Sequence, residues 1–387
     1  MISRERVLKA LNHAEPDRVP FDLGGTNVTG ISKAAYARLL DYMGIKKDKS
    51  GIKTFCAVQQ LAEVDREVSE RLETDVRVIT PRTSTAWNLE ITEDDCYYKF
   101  LDEWGISWKM PKSGGFYYDM IDHPLENATS LADVERYKMP DMSDPKRYEG
   151  LEKELREVYE STGCAIVMQG VAAGFFELGG WLMGMENFFV SLATEPEIAC
   201  RIMDRALEAK MEYWQRVLAI GKDYIHVAHE AEDLATQTSF LISPELYRKY
   251  IKPRQKELYS FIKKQAPVKV FFHSCGAIKP LIPDLIEVGV DILNPVQVSA
   301  AGMDDTKALK KEFGKDMVFW GGGVDTQRVL PRGTVQEVKD EVRRRVEDLM
   351  PGGGFIFNPV HNIQADVPPE NILAMWEALR EYGVYKK

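Results

Sequence analysis

A histidine and a cysteine lie two positions apart at the end of an apolar run, in the order Phe271, Phe272, His273, Ser274, Cys275. An imidazole nitrogen and a thiolate at this spacing can both bind one Zn²⁺ ion. The same pair also fits an ordinary buried cysteine beside a histidine that bonds to the backbone. The spacing therefore indicates a candidate metal site and leaves the second interpretation open.

Two residues elsewhere in the chain are candidates for a third ligand. His361 follows a predicted strand at 355–358, and Glu230 follows a predicted strand at 224–228. Three protein ligands and one open position are typical of a catalytic rather than a structural zinc site. His361 also fits a hydrogen bond to Asn358, and the acidic residues around Glu230 also fit a solvated loop, so the choice between the two stays open here.

Further polar and aromatic residues occur at or just after predicted strand ends, where ligands bind in parallel α/β folds. Some are candidates for catalytic roles: His229, Glu230, Asp325 and Asn358. Others are candidates for substrate binding: Gln169, Phe175, Phe176, Trp181, Asn294 and Gln297. The three aromatic residues also fit a plain hydrophobic core, and no nucleotide-binding glycine motif is present.

The elements that must position these residues alternate between short apolar runs and longer segments of helical period, which is typical of an α/β fold with a parallel sheet. Thr334 and Glu337 have the spacing of a capping box, and Ser243 with Pro244 marks another helix start. Aromatic residues at two-residue spacing predict a hairpin-like insertion at about 87–118. Seven strands are predicted, and an eighth is easily missed. The seven are 76–80, 165–169, 224–228, 268–272, 290–293, 317–320 and 355–358.

Composition excludes several classes of protein. The 387 residues are 44% hydrophobic and 28% charged, with 50 Lys and Arg against 60 Asp and Glu, a net charge of −10. This charge disfavours binding to nucleic acid or to anionic membranes. Five scattered cysteines, no membrane-spanning apolar run and a charged start of the chain predict a cytoplasmic protein with reduced thiols.

The chain resembles the uroporphyrinogen decarboxylase superfamily through the segment that ends in His273, Ser274, Cys275 and Gly276. The resemblance continues to Asn358 and also includes the opening residues 4–20. It implies a (β/α)8 TIM barrel with an N-terminal helical extension. We accordingly expect the extension at 1–75 and the barrel at 76–387, with the insertion inside the barrel.

Two branches of this superfamily give different expectations. Uroporphyrinogen decarboxylases have an arginine-rich segment near the N-terminus for their polyanionic substrate, whereas residues 19–30 contain no basic residue here. Zinc-dependent methyltransferases of the superfamily have a His-x-Cys pair, which His273 and Cys275 match. They usually add a distant cysteine, and this chain has His361 in the corresponding stretch.

The resemblance to the methyltransferase branch implies a zinc enzyme that moves a methyl group between a small methylated substrate and a cobalamin. Because the chain has no Asp-x-His-x-x-Gly cobalamin motif, the cobalamin would be carried by a separate corrinoid protein. Demethylation of a methoxylated aromatic compound is the favoured reaction. Porphyrinogen decarboxylation and a non-catalytic ligand-binding barrel are the alternatives, and a site without metal also stays open.

Overall fold

Parallel strands alternate with helices through most of the chain in the computed structural model, which describes residues 1–80 and 82–386. The strands of this part of the chain are β1 Thr54–Cys56, β2 Leu61–Ala62, β3 Val76–Ile79, β4 Thr92–Glu93, β5 Tyr97–Leu101, β6 Ser107–Pro111, β7 Asp119–Asp122, β8 Ala165–Gln169, β9 Val227–Ala231, β10 Lys269–His273, β11 Ile292–Asn294, β12 Val318–Trp320 and β13 Phe355–Ile356.

The helices begin at the signals that the sequence carries. Thr334 and Glu337 form the predicted capping box, and the Ser243 side chain accepts a hydrogen bond from the backbone of Leu246. The α-helices are α1 Ser3–Leu11, α2 Lys33–Tyr42, α3 Arg66–Arg71, α4 Leu131–Arg136, α5 Leu151–Thr162, α6 Phe175–Met183, α7 Met185–Thr194, α8 Pro196–Gly221, α9 Pro244–Leu246, α10 Lys252–Gln265, α11 Ile282–Val288, α12 Thr306–Phe313, α13 Val329–Arg332, α14 Val335–Leu349 and α15 Pro369–Tyr382. None of these described helices is long and apolar enough to span a lipid bilayer.

Seven strands form one curled parallel sheet in the order β3, β8, β9, β10, β11, β12, β13. Phe21 closes the gap between its two edges, because it pairs in parallel with Phe357 after β13 and its carbonyl accepts a 2.8 Å hydrogen bond from Asp75 before β3. The predicted α/β TIM barrel is therefore confirmed. The eighth strand position of the barrel is occupied by a very short extended segment near the start of the chain. The sequence there shows only two prolines and a brief apolar stretch.

The predicted strand at 224–228 is wrong in position by three residues. Tyr224 and Ile225 lie in the turn after α8, and β9 runs from Val227 to Ala231. His229 and Glu230 therefore lie within the strand, where successive side chains point to opposite faces of the sheet. His229 faces the barrel interior beside Phe271, whereas Glu230 faces outward and contacts helix α8.

The predicted insertion forms an antiparallel sheet of four strands, β4 to β7, rather than a single hairpin. One face of this sheet is apolar, with Phe100 and Trp108 nearly fully buried. Trp108 meets Trp181 of α6 edge to face, with 5.7 Å between the ring centroids. This contact attaches the insertion to the barrel beside the carboxyl ends of the strands.

The predicted division of the chain at residue 75 stays a prediction. The structure adds that the part before it is tied to the barrel by buried charge. Asp75 is fully buried and accepts hydrogen bonds of 2.7 Å each from Arg6 Nη1 and Arg18 Nη1. The side chains inside the barrel form a separate apolar layer beneath the site, which includes Val167, Phe271 and Trp320.

Candidate metal centre and substrate cavity

His273, Cys275 and His361 come together at the carboxyl end of the barrel. Their ligand atoms all lie within 4.8 Å of one another. The Sγ atom of Cys275 is 3.5 Å from Nε2 of His273, and the rings of His273 and His361 have their centroids 5.3 Å apart. His273 ends β10, Cys275 follows in the next turn, and His361 lies in the loop after β13. Two distant segments thus supply one cluster.

Asn294 determines which ring nitrogen of His273 is free. Its Nδ2 donates to the carbonyl of Trp320 at 2.7 Å, so the amide oxygen faces the other way and lies 2.6 Å from Nδ1 of His273. An amide oxygen can only accept, and therefore Nδ1 of His273 is the donor. The lone pair of the neutral ring is left on Nε2, the nitrogen that faces Cys275.

The turn that carries Cys275 is held by two side chains. The backbone N–H of Cys275 donates to Oδ1 of Asp233 at 2.7 Å, and that of Gly276 donates to Oε1 of Gln297 at 2.6 Å. Gly276 has a φ of 95°, and a Cβ atom there would lie 2.5 Å from the carbonyl oxygen of Ala235. Only glycine fits this close approach, which brings the thiol back toward His273.

Burial sets the charge of the three candidate ligands. It lowers the pKa of His361 to about 3, with a smaller contribution from the neighbouring His273, and it lowers the pKa of His273. Both imidazoles are therefore neutral at pH 7, which is the form that binds metals. Burial also raises the pKa of the Cys275 thiol well above its usual value, and the charges of Asp233 and Glu177 add to the rise.

The donor set fits zinc. Two neutral imidazoles and one thiol are ligands that zinc commonly binds, and three protein ligands leave a position for a fourth group. The hydrogen bond from His273 to Asn294 is the kind of contact that orients a metal-binding histidine. These three residues are therefore able to hold a divalent zinc ion.

Glu230, the other predicted third ligand, does not join the cluster. Its two carboxylate oxygens accept hydrogen bonds of 2.7 Å each from Lys210 Nζ and Trp214 Nε1 of α8. The side chains of Glu230 and Lys210 are almost fully buried. Because β9 is shifted relative to the prediction, Glu230 lies on the helix-facing side of the sheet, away from His273.

A cavity of about 860 Å³ opens above the cluster and is lined by His273 and His361. Aromatic side chains form much of its wall: Phe55, Trp87, Tyr117 and Trp181. Its polar lining includes Asn27, Gln169, His229, Glu177 and Asp233. In residues 1–80 and 82–386, no lysine or arginine lines this cavity. The cavity is thus suited to an aromatic or apolar ligand and lacks the cations that would bind an anionic one.

Residues 109–382 match the family model described as uroporphyrinogen decarboxylase (URO-D). The chain belongs to the uroporphyrinogen decarboxylase family. Its resemblance to this family, inferred from the residues around His273 and Cys275, is therefore confirmed.

Two proteins that are similar in sequence to this chain are named for different reactions. The uroporphyrinogen decarboxylase of Alkalilimnicola ehrlichii is 22% identical to this chain, over 98% of this chain and 94% of its own length. The methylated-thiol–coenzyme M methyltransferase of Methanosarcina mazei is 25% identical, over 68% of this chain and 67% of its own length. The chain is thus a homologue of a methyltransferase as well as of decarboxylases.

A solved structure shares the fold along the whole chain. It is a methyltransferase from Methanosarcina mazei, with a TM-score of 0.65, 17% identity and coverage of 99% of both chains. At this identity the likeness shows the fold alone. This family member therefore has the same overall fold as a methyltransferase, along nearly its whole length.

The candidate substrate residues of this family member fall into three places. Gln169 and Trp181 line the cavity. Asn294 and Gln297 lie behind the metal cluster and hold His273 and the turn at Gly276. Phe175 and Phe176 are buried in the core, where Phe176 packs against Phe188 and Phe189, so sequence patterning alone did not separate wall from core.

The candidate catalytic residues are also dispersed. His229 lines the cavity, its Nδ1 lies 2.8 Å from Nε2 of Gln169, and burial lowers its pKa to about 3. Asn358 donates from Nδ2 to the carbonyl of Asp22 at 3.3 Å, inside the barrel. Asp325 accepts from the backbone of Gln327 at 2.7 Å and holds its own loop. Catalytic roles for these residues stay predictions.

Sequence reasoning missed one carboxyl group at the cavity, that of Glu177, and left the role of a second, that of Asp233, open. Glu177, in the first turn of α6, and Asp233, just after β9, both line it. A signal was present for Glu177, because it is the one ionisable residue between 165 and 185 in the sequence. An isolated acid in an apolar helix start next to a strand end is a candidate functional group.

Proposed function

We propose that this protein is a zinc-dependent methyltransferase that moves a methyl group between a small methylated substrate and the cobalamin of a separate corrinoid protein. The observation that carries the proposal is the convergence of His273, Cys275 and His361 into one cluster, of which His273 and His361 line an open cavity. The homology to a methyltransferase supports the same reaction class.

In this proposal His273, Cys275 and His361 hold the zinc ion, which when bound supplies Lewis-acid stabilisation of the charge that develops on the heteroatom losing its methyl group. Asn294 keeps Nε2 of His273 available for this purpose. Asp233 and Gln297 keep the turn of Cys275 in place. The aromatic side chains that line the cavity would limit the access of water to the reacting group.

The methyl donor that we propose is a methoxylated aromatic compound, as the sequence indicates. The rings of Phe55, Trp87, Tyr117 and Trp181 support this choice, because they offer faces and edges to an aromatic ring. A corrinoid protein would approach from the open side of the cavity, since the chain carries no cobalamin motif of its own.

The cavity argues against porphyrinogen decarboxylation, the alternative reaction. A substrate with eight carboxylates requires positively charged groups, and no lysine or arginine lines the cavity in the described part of the chain. Two carboxyl groups, Glu177 and Asp233, line it instead. Decarboxylation of such a substrate in this cavity would leave its charges unpaired.

The test combines metal analysis with methyl transfer. The purified protein is expected to bind about one zinc ion per chain and to move methyl groups from a panel of methoxylated aromatics to a reduced corrinoid protein. Cys275→Ser and His361→Ala should lose zinc and activity together. Cys96→Ser, which changes an exposed cysteine, is the matched control. Full activity in zinc-free Cys275→Ser protein, or decarboxylation of uroporphyrinogen by the wild type, would overturn the proposal.

A further inference from the structure

Glu177 presents a carboxyl group to the substrate cavity in a defined orientation. Its Oε2 accepts a 3.0 Å hydrogen bond from the backbone N–H of Asp233. Its Oε1 has no hydrogen-bond partner among residues 1–80 and 82–386, and the side chain lines the cavity. One oxygen is thus fixed by the protein, and the other is available to a ligand.

Glu177 is one of three neighbouring carboxyl groups, and the three differ in their hydrogen bonds and exposure. Burial raises the pKa of Glu232 to about 7, which is less than the rise at Glu177. Glu232 accepts from the backbone N–H groups of Phe175 and Glu177 at 2.7 and 2.8 Å, at the start of α6. Asp233 accepts from the N–H of Cys275, and its side chain is 37% exposed. Neighbouring carboxyl groups in a buried place do not all ionise. Glu177 accepts one backbone N–H bond and is buried, whereas Glu232 accepts two such bonds and Asp233 is partly open to water.

We propose that Glu177 is the catalytic acid of this enzyme, which gives its proton to the oxygen atom that loses the methyl group. The inference rests on the proposed methyl transfer. The bond between the methyl carbon and the ether oxygen breaks, and its electron pair stays on oxygen. The methyl group passes to the reduced corrinoid of the partner protein, and the proton of Glu177 converts the leaving oxygen to a hydroxyl group. The carboxylate then takes a new proton from water at the cavity mouth.

The surroundings of Glu177 favour the protonated form. Burial, together with the smaller contributions of the charges of Asp233 and Glu232 after β9, raises the pKa of Glu177 to about 8. The hydrogen bond from Asp233 and the charge of Lys210 on α8 act in the opposite direction and are smaller. A carboxyl group with this pKa holds its proton at pH 7 and can still release it during a reaction.

Other side chains at the cavity are poor proton donors at pH 7. The three imidazoles of His229, His273 and His361 are neutral because burial lowers their pKa values. Burial raises the pKa of Tyr117 above its usual value. A phenolate released here would also meet no lysine or arginine of the described cavity wall. Glu177 therefore supplies the proton that converts the leaving oxygen to a phenol, in addition to the charge stabilisation that a bound zinc ion would supply.

The test is a series of methyl aryl ethers whose phenols differ in acidity, with the complete system of enzyme, zinc and reduced corrinoid protein. Glu177→Gln should slow transfer from ethers of weakly acidic phenols by roughly 10²–10⁴-fold. It should change transfer from ethers of strongly acidic nitrophenols by only a few-fold, because their phenolates leave without a proton. Glu186→Gln, which changes an exposed glutamate on the next helix, should leave every rate unchanged.

An infrared spectrum gives a second readout that does not depend on activity. Wild-type protein should show a protonated carboxyl band that is lost between pH 7 and pH 9, and Glu177→Gln should lack the part of this band that titrates near pH 8. The part due to Glu232, whose pKa is raised to about 7, should remain in the variant. Absence of the part that titrates near pH 8 from the wild-type band would contradict the assignment of Glu177 as the catalytic acid. A Glu177→Gln variant that slows transfer from all ethers equally would contradict it as well. A wild type that moves no methyl group from any donor overturns the proposed function itself, and the role of Glu177 with it.

Discussion

At the scale of single residues, Asn294 controls the metal-binding nitrogen of His273. Replacing it by leucine removes the acceptor at Nδ1, so that the ring can take the wrong tautomer. We expect Asn294→Leu to bind zinc roughly 10–100-fold more weakly than the wild type, measured by competition with a chromogenic chelator. Asn294→Asp keeps an acceptor for Nδ1 of His273 but loses the donor to the carbonyl of Trp320, so it should bind zinc more tightly than Asn294→Leu and more weakly than the wild type. Equal zinc affinity in Asn294→Leu and the wild type would contradict this role.

Single residues also show where sequence reasoning succeeded. His273 and Cys275 were recognisable because residues two positions apart after a strand end are close enough in space to bind the same metal ion. Glu177 was not recognised, since its significance depends on Asp233 and Glu232, which approach it only through the pairing of strands β8 and β9. Local spacing encodes a ligand pair, whereas a perturbed carboxyl group arises from tertiary contacts.

At the scale of elements, the turn after β10 depends on Gly276. A methyl group there meets two carbonyl oxygens at 2.5 Å, in addition to the ordinary strain of a positive φ. We expect Gly276→Ala to lose zinc and to lower the free energy of unfolding by about 3 kcal/mol or more. Thermal denaturation and metal analysis measure the two effects.

Gly302 offers a matched control for that turn. It has a φ of 74°, and a Cβ atom there meets nothing within 4 Å. Gly302→Ala should therefore cost about 1 kcal/mol, from backbone strain alone, and leave zinc binding unchanged. If both variants were equally stable and equally rich in zinc, the close approach at Gly276 would not be what shapes the site.

The junction between β8 and the turn before β9 makes a pH-dependent contribution to stability. His226 stacks on Tyr159, and its Nδ1 accepts a 3.1 Å hydrogen bond from the backbone of Ile166. Burial lowers the pKa of His226 to about 4, and the charge of Arg4 adds to the effect. Between pH 6.5 and 4 the unfolded chain therefore binds a proton that the folded chain does not, so stability falls as the pH falls.

Chemical denaturation at two pH values tests this element. From pH 7 to pH 5 the group should remove on the order of 2 kcal/mol from the free energy of unfolding. His226→Phe keeps a ring against Tyr159 and cannot titrate, so its loss of stability over the same range should be smaller by that amount. Parallel pH profiles of the two proteins would show that His226 does not carry this contribution.

Elements also mark the limit of prediction from sequence. The order of strands and helices was correct because apolar runs and helical periods alternate clearly. Strand β9 was misplaced by three residues, since Tyr224 and Ile225 are apolar and His229 and Glu230 are polar. Polar residues can continue strand β9 because Glu230 accepts hydrogen bonds from Lys210 and Trp214 on α8. A contact between such distant residues cannot be predicted from the local sequence pattern.

At the scale of the whole molecule, a barrel closes only if its first and last strands meet, and here Phe21 makes that connection. Asp75 holds the junction: besides Arg6 and Arg18, it accepts a 2.8 Å hydrogen bond from the backbone of Phe21. The sequence predicts a brief strand within residues 17–30, but it does not assign that strand to the barrel, because one bridge pair leaves no periodic pattern. This strand is connected to the sheet by a hydrogen bond to the buried carboxylate, and it shows no run of alternating apolar residues.

Replacing Asp75 by asparagine tests whether this carboxylate holds the barrel together. The variant leaves two guanidinium groups beside a neutral amide in a fully buried place. Breaking a buried ion pair typically costs 3–5 kcal/mol, and Arg6 keeps a second partner in Asp17 at 2.6 Å, so we expect a loss of about 3 kcal/mol in the free energy of unfolding by urea. Asp41→Asn, which breaks an exposed pair with Lys49, should change it by less than about 0.5 kcal/mol. Equal stability of the two variants would mean that packing around Phe21 closes the barrel without the charge.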